Sequence, residues 1–293
     1  MSNFARFAGT FAIVALLLGA DREPSKYSEE AARVAQEKRE AIRAEIEDLH
    51  RNAWAGEYYC GDGLGANEYL SIAPENGYVF EFRGCLGVYD RNYGPVTLKT
   101  GNLRLSATFG IQKEGFQALP VELVPVNWES RHYLIRPDEF VDFCNDVNRR
   151  YEPRNDVHGS HLLRKGDHTI AVTGFPDVPQ EFRKYLLKVP VESTIIDWGF
   201  LVTTRSADGS TGKKHRSFII DAGTSNGLHN GMQLFPVRPD TDYHAFEVLK
   251  ASDTDSTLIL KFGDTGEIPR VGLKLSTLPS WMKREENTAT SNK

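Results

Sequence analysis

The sequence predicts a mainly β chain, a β-rich α+β protein with two small barrel- or sandwich-like modules behind a long N-terminal helix. Three observations carry this. Aromatic and β-branched runs, broken every few residues by turn residues, fill 54–136 and 190–280. The stretch 25–52 is dominated by alanine, glutamate, lysine and arginine, all good helix formers. Hydrophobic residues make up 40% of the 293, enough apolar material to bury a core.

The N-terminus reads as a signal segment over residues 1–20. "MSNFAR" carries one cation, Arg6, and the uncharged run Phe7–Ala20 follows. Asp21, Arg22, Glu23 and Pro24 end that run. This is the layout of a secretory signal peptide, and Gly19 and Ala20 supply small residues for cleavage. The run falls short of the roughly 18–20 apolar residues of a membrane span. Export to the periplasm or outside the cell is expected, and an uncleaved membrane anchor is the alternative. Membrane contact is expected only through that segment, if uncleaved. The net charge is −5, and no long basic run points to nucleic acid.

A long helix is expected over 21–53. Tyr27, Ala31, Val34, Ala35, Ile42, Ile46 and Leu49 form a narrow apolar stripe, interrupted by Lys38. A helix packed on its own domain suits this stripe better than a coiled coil, which needs roughly three to four clean heptads.

The first β module spans 54–136. "EYLSI", "YVFEF", "GVYD", "PVTLKT" and "LRLSA" read as strands of an antiparallel meander, and "VELVPVNW" and "RHYLI" continue it. Pro125, inside that run, points to an edge position or a bulge. Alternation places Tyr78, Phe80 and Phe82 on one face. They are an ordinary core, or else the wall of a cleft for an apolar or glycan ligand. Cys60 and Cys85 fall within this module, and an exported chain permits a disulfide between them.

A helical connector is expected over 137–189. Pro137 suits a first helical position. Phe140, Phe143, Cys144 and Val147 follow the spacing of one helix face, so Cys144 reads as a small core hydrophobe. "EPRNDVHGSHLLRKGDH" reads as a polar connector, and one more short helix is expected at 179–188. The second β module follows over 190–280, with "SADGSTG" as a hairpin loop. Residues 281–293 read as a disordered tail.

Within the second module, "FIIDAGTSNGLHNGMQLFPV" (218–237) is a glycine-punctuated strand–loop–strand. It resembles the periplasmic β domain of the bacterial rod-shape scaffold MreC, through Asp221, Gly223, Gly227, Gly231 and Met232. The resemblance covers about twenty residues. It implies a small barrel-like β domain and an envelope scaffold role, and it transfers no catalytic residue.

Motifs for chemistry are sparse. "GDGLGANEYL" has no lysine and leads into a strand, so it is a tight β connection and not a phosphate loop. Asp62, Asn67 and Glu68 offer too few oxygens for a calcium cage. His158, His161 and His168 lack a motif that would fix zinc geometry. No catalytic residue, metal ligand or cofactor is assigned. The expected function is a non-catalytic exported envelope protein that works by binding or scaffolding. Its partner would be an envelope protein or a small ligand. The alternatives are an apolar-ligand or glycan carrier using the aromatic first module, and a hydrolase with spatially paired carboxylates.

Overall fold

The computed structural model describes residues 26–49, 52–112, 119–151, 159–205, 211–238, 243–263 and 269–278. The expected signal segment and the expected tail lie outside the described residues. The chain forms two compact units, one within 1–140 and 152–178, the other within 141–151 and 179–293.

The first unit opens with helix α1 (Lys26–Asp48). Strands follow: β1 (Gly56–Gly61), β2 (Ala66–Ala73), β3 (Gly77–Gly84), β4 (Gly87–Gly94), β5 (Val96–Lys99), β6 (Asn102–Leu105), β7 (Phe109–Gln112), β8 (Glu122–Trp128), β9 (Arg131–Ile135) and, after a gap in sequence, β10 (Gly159–Arg164). They form one curled ten-stranded sheet in the order β5-β6-β8-β9-β10-β1-β2-β3-β4-β7. The β1-β2-β3-β4 run is an antiparallel meander with Tyr58 opposite Leu70, Leu70 opposite Phe80, and Phe80 opposite Asn92. Period-2 alternation therefore gathers Tyr58, Leu70, Ile72, Tyr78, Phe80 and Phe82 into one apolar core with Leu103, Leu123, Leu134 and Leu162. Pro125 sits in β8 opposite Leu134 of β9. β6 pairs with β8 only at Glu122 and Leu123, so the missing N–H of Pro125 breaks no described ladder.

The other face of β2 and β3 carries α1. Ala35 and Ile42 of the helix pack with Ala55, Ala73 and Val79. Charged groups fix the helix in register on the sheet. Arg39 reaches Glu81 at 2.7 Å and Arg43 reaches Glu57 at 2.8 Å. The Glu45 carboxylate accepts the backbone N–H groups of Glu75 and Asn76 in the β2–β3 turn, both at 2.8 Å.

The segment expected as a helical connector is divided between the units. Its polar middle supplies β10, which pairs with both β1 and β9 and lies inside the sheet. His161, Leu162 and Leu163 are buried there. The flanking charges masked an apolar run of only two residues, too short to register as a strand period. Helix α2 (Phe140–Asn148) presents the expected buried face, with Phe140, Phe143 and Cys144 fully buried. From Val141 onward it belongs to the second unit.

The second unit is a closed six-stranded barrel. Its strands are β11 (Glu192–Arg205), β12 (Thr211–Ile220), β13 (Gln233–Pro236), β14 (Tyr243–Ala251), β15 (Ser256–Gly263) and β16 (Lys274–Ser276), in the order β11-β12-β15-β14-β13-β16. Ile195, Phe218, Ile220, Leu228, Met232, Leu234, Phe246, Val248, Leu258 and Leu275 fill it. The glycine-punctuated stretch carries the chain from β12 to β13, which are not neighbours in the barrel. Gly227 and Gly231 take φ of 90° and 85°, a region that favours glycine. A Cβ at Gly223 would stand 2.3 Å from the Ser252 carbonyl oxygen. Asn145 of α2 is tied to the end of this loop. Its side chain donates to the Gly231 carbonyl and accepts from the Gln233 N–H, both at 3.0 Å.

Candidate functional site

The first unit concentrates its ionisable groups at one end of the sheet's inner face. β1 places Cys60 opposite Glu68 of β2, and β3 places Phe82 opposite Glu68 in turn. Arg136 follows the end of β9, and the 3-10 turn Pro137–Glu139 folds Glu139 back beside it. Cys60, Glu68, Arg136, Glu139 and His161 line a shallow recess floored by Leu134 and Leu162. One Arg136 nitrogen donates to both Glu68 oxygens, at 2.9 and 2.8 Å, and the other donates to Glu139 at 3.2 Å.

The recess has room for about one water molecule. Burial pushes the Glu68 carboxyl up to about 7, against the pull of Arg136; Glu139 and Asp90 add to the rise. Two carboxylates sharing one guanidinium leave one negative charge in excess in an apolar setting. The group is thus a proton acceptor near neutral pH, without space beside it for an organic substrate.

A second buried carboxylate is structural. Glu81 receives Arg39 at 2.7 Å, Arg91 at 2.6 Å and Arg83 at 2.5 Å. Burial alone would raise its pKa, but the hydrogen bonds and charge of Arg39, with those of Arg91 and Arg83, bring it down to about 2.

Of the residues singled out in the sequence, Cys60, Glu68 and His161 come together at the recess. Tyr78 and Phe80 are fully buried and Phe82 is 7% exposed, all three inside the sheet's core. The expected Cys60–Cys85 bridge is absent: no two cysteines stand at disulfide distance. Cys60 is in β1, whereas Cys85 lies just past the end of β3, two strands away and three residues beyond Phe82. That exceeds the 4.4–6.8 Å usual between bridged Cα atoms. The Cys85 thiol lies over the β1–β2 loop instead, 3.8 Å from the Leu64 carbonyl oxygen. Burial pushes the Cys144 thiol up to about 12, in keeping with a core position.

In the glycine loop, Asp62 accepts the N–H groups of Leu64, Gly65 and Ala66 at 2.8, 2.7 and 3.1 Å. Asn67 accepts from Gly63 and from the Tyr59 hydroxyl. These side chains build the hairpin, and Glu68 turns to Arg136. His161 faces the recess, His168 lies in a 3-10 turn, and His158 is outside the described residues. Among the described residues, no group of three or more His, Cys, Asp or Glu could hold a metal ion, and no helix is long and apolar enough to cross a membrane.

The second unit shows a different feature. Ile196, Trp198, Phe200 and Leu201 of β11 are 47%, 48%, 65% and 60% exposed. β12 pairs with β15 only over Ser217–Ile220, but with β11 out to Thr211. The β11–β12 hairpin therefore runs on beyond the barrel wall as a two-stranded ribbon. The Arg216 guanidinium lies 5.2 Å from the Trp198 ring centroid. No pattern flagged these residues in advance: in "VESTIIDWGFLVTT" they read like any β core. Comparison with known protein families, with curated proteins and with solved structures yields no match.

Proposed function

We propose that this chain is a non-catalytic, exported, bacterial-type envelope protein that binds or scaffolds a partner through the β11–β12 ribbon. The observation that carries the reading is the run of four large apolar side chains at Ile196–Leu201, each close to half exposed or more. Contiguous exposed apolar surface marks interaction sites. The apolar run at Phe7–Ala20 and the local likeness of 218–237 to an envelope scaffold support the cellular setting. A photo-crosslinking phenylalanine analogue at position 200, introduced in cells, should give a discrete covalent adduct, and the same analogue at exposed Leu98 should give none. Absence of any adduct at position 200 overturns the reading. An alkaline phosphatase fusion after residue 53, active only outside the cytoplasm, should be active; an inactive fusion refutes export.

The hydrolase alternative has one observation in its favour, the Glu68–Glu139 pair beside the recess. Both carboxylates are committed to Arg136, and the recess takes about one water. Turnover in a broad hydrolase screen, lost on Glu68→Gln with the fold intact, would establish that alternative and remove the scaffold reading.

A further inference from the structure

Arg131 opens β9, directly opposite Trp128 across the turn at Glu129 and Ser130. Alternation puts Arg131, Tyr133 and Ile135 on one face of the strand, away from Leu134 and the recess. That face is covered: Tyr133 and Ile135 are almost wholly buried, and Arg131 is only 6% exposed. Among the described residues, its guanidinium has no hydrogen-bond or ion-pair partner. Its Nε is shut off from water and unbonded, whereas the terminal nitrogens keep access to the surface. A guanidinium cannot shed its proton to escape burial. An enclosed charge without a partner is costly, so buried cations are paired as a rule.

The carboxylates beside it are engaged elsewhere. Glu129 accepts the N–H and the hydroxyl of Thr173. Asp167 accepts the His132 N–H at 2.8 Å and faces the His132 ring nitrogen at 2.8 Å. β10 pairs with β9 only as far as Tyr133, so Arg131 stands at the end of that ladder. The next cation along β10, Lys165, sends its ammonium to the Tyr69 ring, 5.7 Å from the centroid. Arg131 thus offers one positive charge through the two terminal nitrogens of its fork. Two parallel N–H groups match the two oxygens of a carboxylate. A single charge also suits a carboxylate better than a phosphate, which carries about −1.5 to −2 near pH 7.

We propose that Arg131 anchors a binding site for a single carboxylate group, in the first unit and separate from both the recess and the β11–β12 ribbon. The site stands or falls independently of the binding reading above. Urea unfolding of the purified full-length chain, in sodium acetate against sodium chloride at equal ionic strength, tests it. The unfolding constant should fall saturably with acetate, by about tenfold at roughly ten times the dissociation constant. Arg131→Met removes the charge and keeps an apolar stem. It should lose the acetate response and be at least as stable as the parent in chloride. A parent without a saturable acetate effect overturns the proposal, and so does an Arg131→Met chain that responds as the parent does. Should that variant not fold, the parent alone decides: the NMR line of carbon-13 acetate should broaden with protein and sharpen again under excess unlabelled acetate. No broadening overturns the site. Phosphate protecting more strongly than acetate overturns the carboxylate assignment. Glutamate blocked at both backbone ends separates the sources. Protection by it supports a protein side chain as the natural occupant, and protection by acetate alone supports a small free acid.

Discussion

Glu81 gives the sharpest energetic test of the first unit. Its side chain is 1% exposed and is held by three guanidiniums, one of them, Arg39, on α1. Glu81→Gln keeps the volume and removes the charge. The carboxyl moves from an ordinary 4.5 to about 2 on folding. At about 1.4 kcal/mol per tenfold, that gap corresponds to roughly 3 kcal/mol at pH 7. Arg83 is half exposed and screened by solvent, which brings the expectation nearer 2 kcal/mol. Because the folded value is depressed, the stability is present above about 4.5 and is lost as pH falls through about 2. Urea unfolding should therefore place the variant about 2 kcal/mol below the parent at pH 7, with the gap shrinking to about half or less by pH 3. A gap unchanged between these two pH values would show that packing, and not the ionised carboxylate, holds the node. Equal stability at pH 7 would show that the three arginines contribute nothing net.

Glu68 has the opposite sign. Its folded value of about 7 lies above the ordinary 4.5, so its contribution is present below about 4.5 and lost as pH rises through about 7. Glu68→Gln should match the parent near pH 4 and be more stable by about 2–3 kcal/mol at pH 8; a loss at pH 8 would mean that the ion pair with Arg136 is net stabilising. Phe80→Ala should cost about 3–5 kcal/mol in denaturant unfolding, whereas Phe200→Ala should stay within about 0.5 kcal/mol; a tolerated Phe80→Ala would move that ring out of the core and towards a ligand role. Thiol labelling of the unfolded, unreduced chain should find all three cysteines reactive, and a count of one would restore the bridge between Cys60 and Cys85.

Much of the fold was legible because its signals are local. The turns "PENG" and "TGN" lie where β2 meets β3 and β5 meets β6, and alternation alone sorted Tyr78, Phe80 and Phe82 onto the core face. The helix-face spacing around Cys144 held for the same reason. β10 was missed because its place depends on partners about thirty and about a hundred residues before it, in β9 and β1. The recess was missed because Arg136 and Glu68 are 68 residues apart and neither sits in a motif.

The sequence by itself determined the β-rich class and the common face of Tyr78, Phe80 and Phe82. Side-chain periodicity and turn chemistry act within about ten residues. Register and closure, which join distant segments, were decided only by the tertiary structure. Closure left the β11 edge open beside Trp198 and Phe200, and strand register placed Glu68 against Phe82 within reach of Arg136. An apolar residue in a strand reads the same in sequence whether the next strand covers it or stops three residues into the ladder, as β16 does against β11.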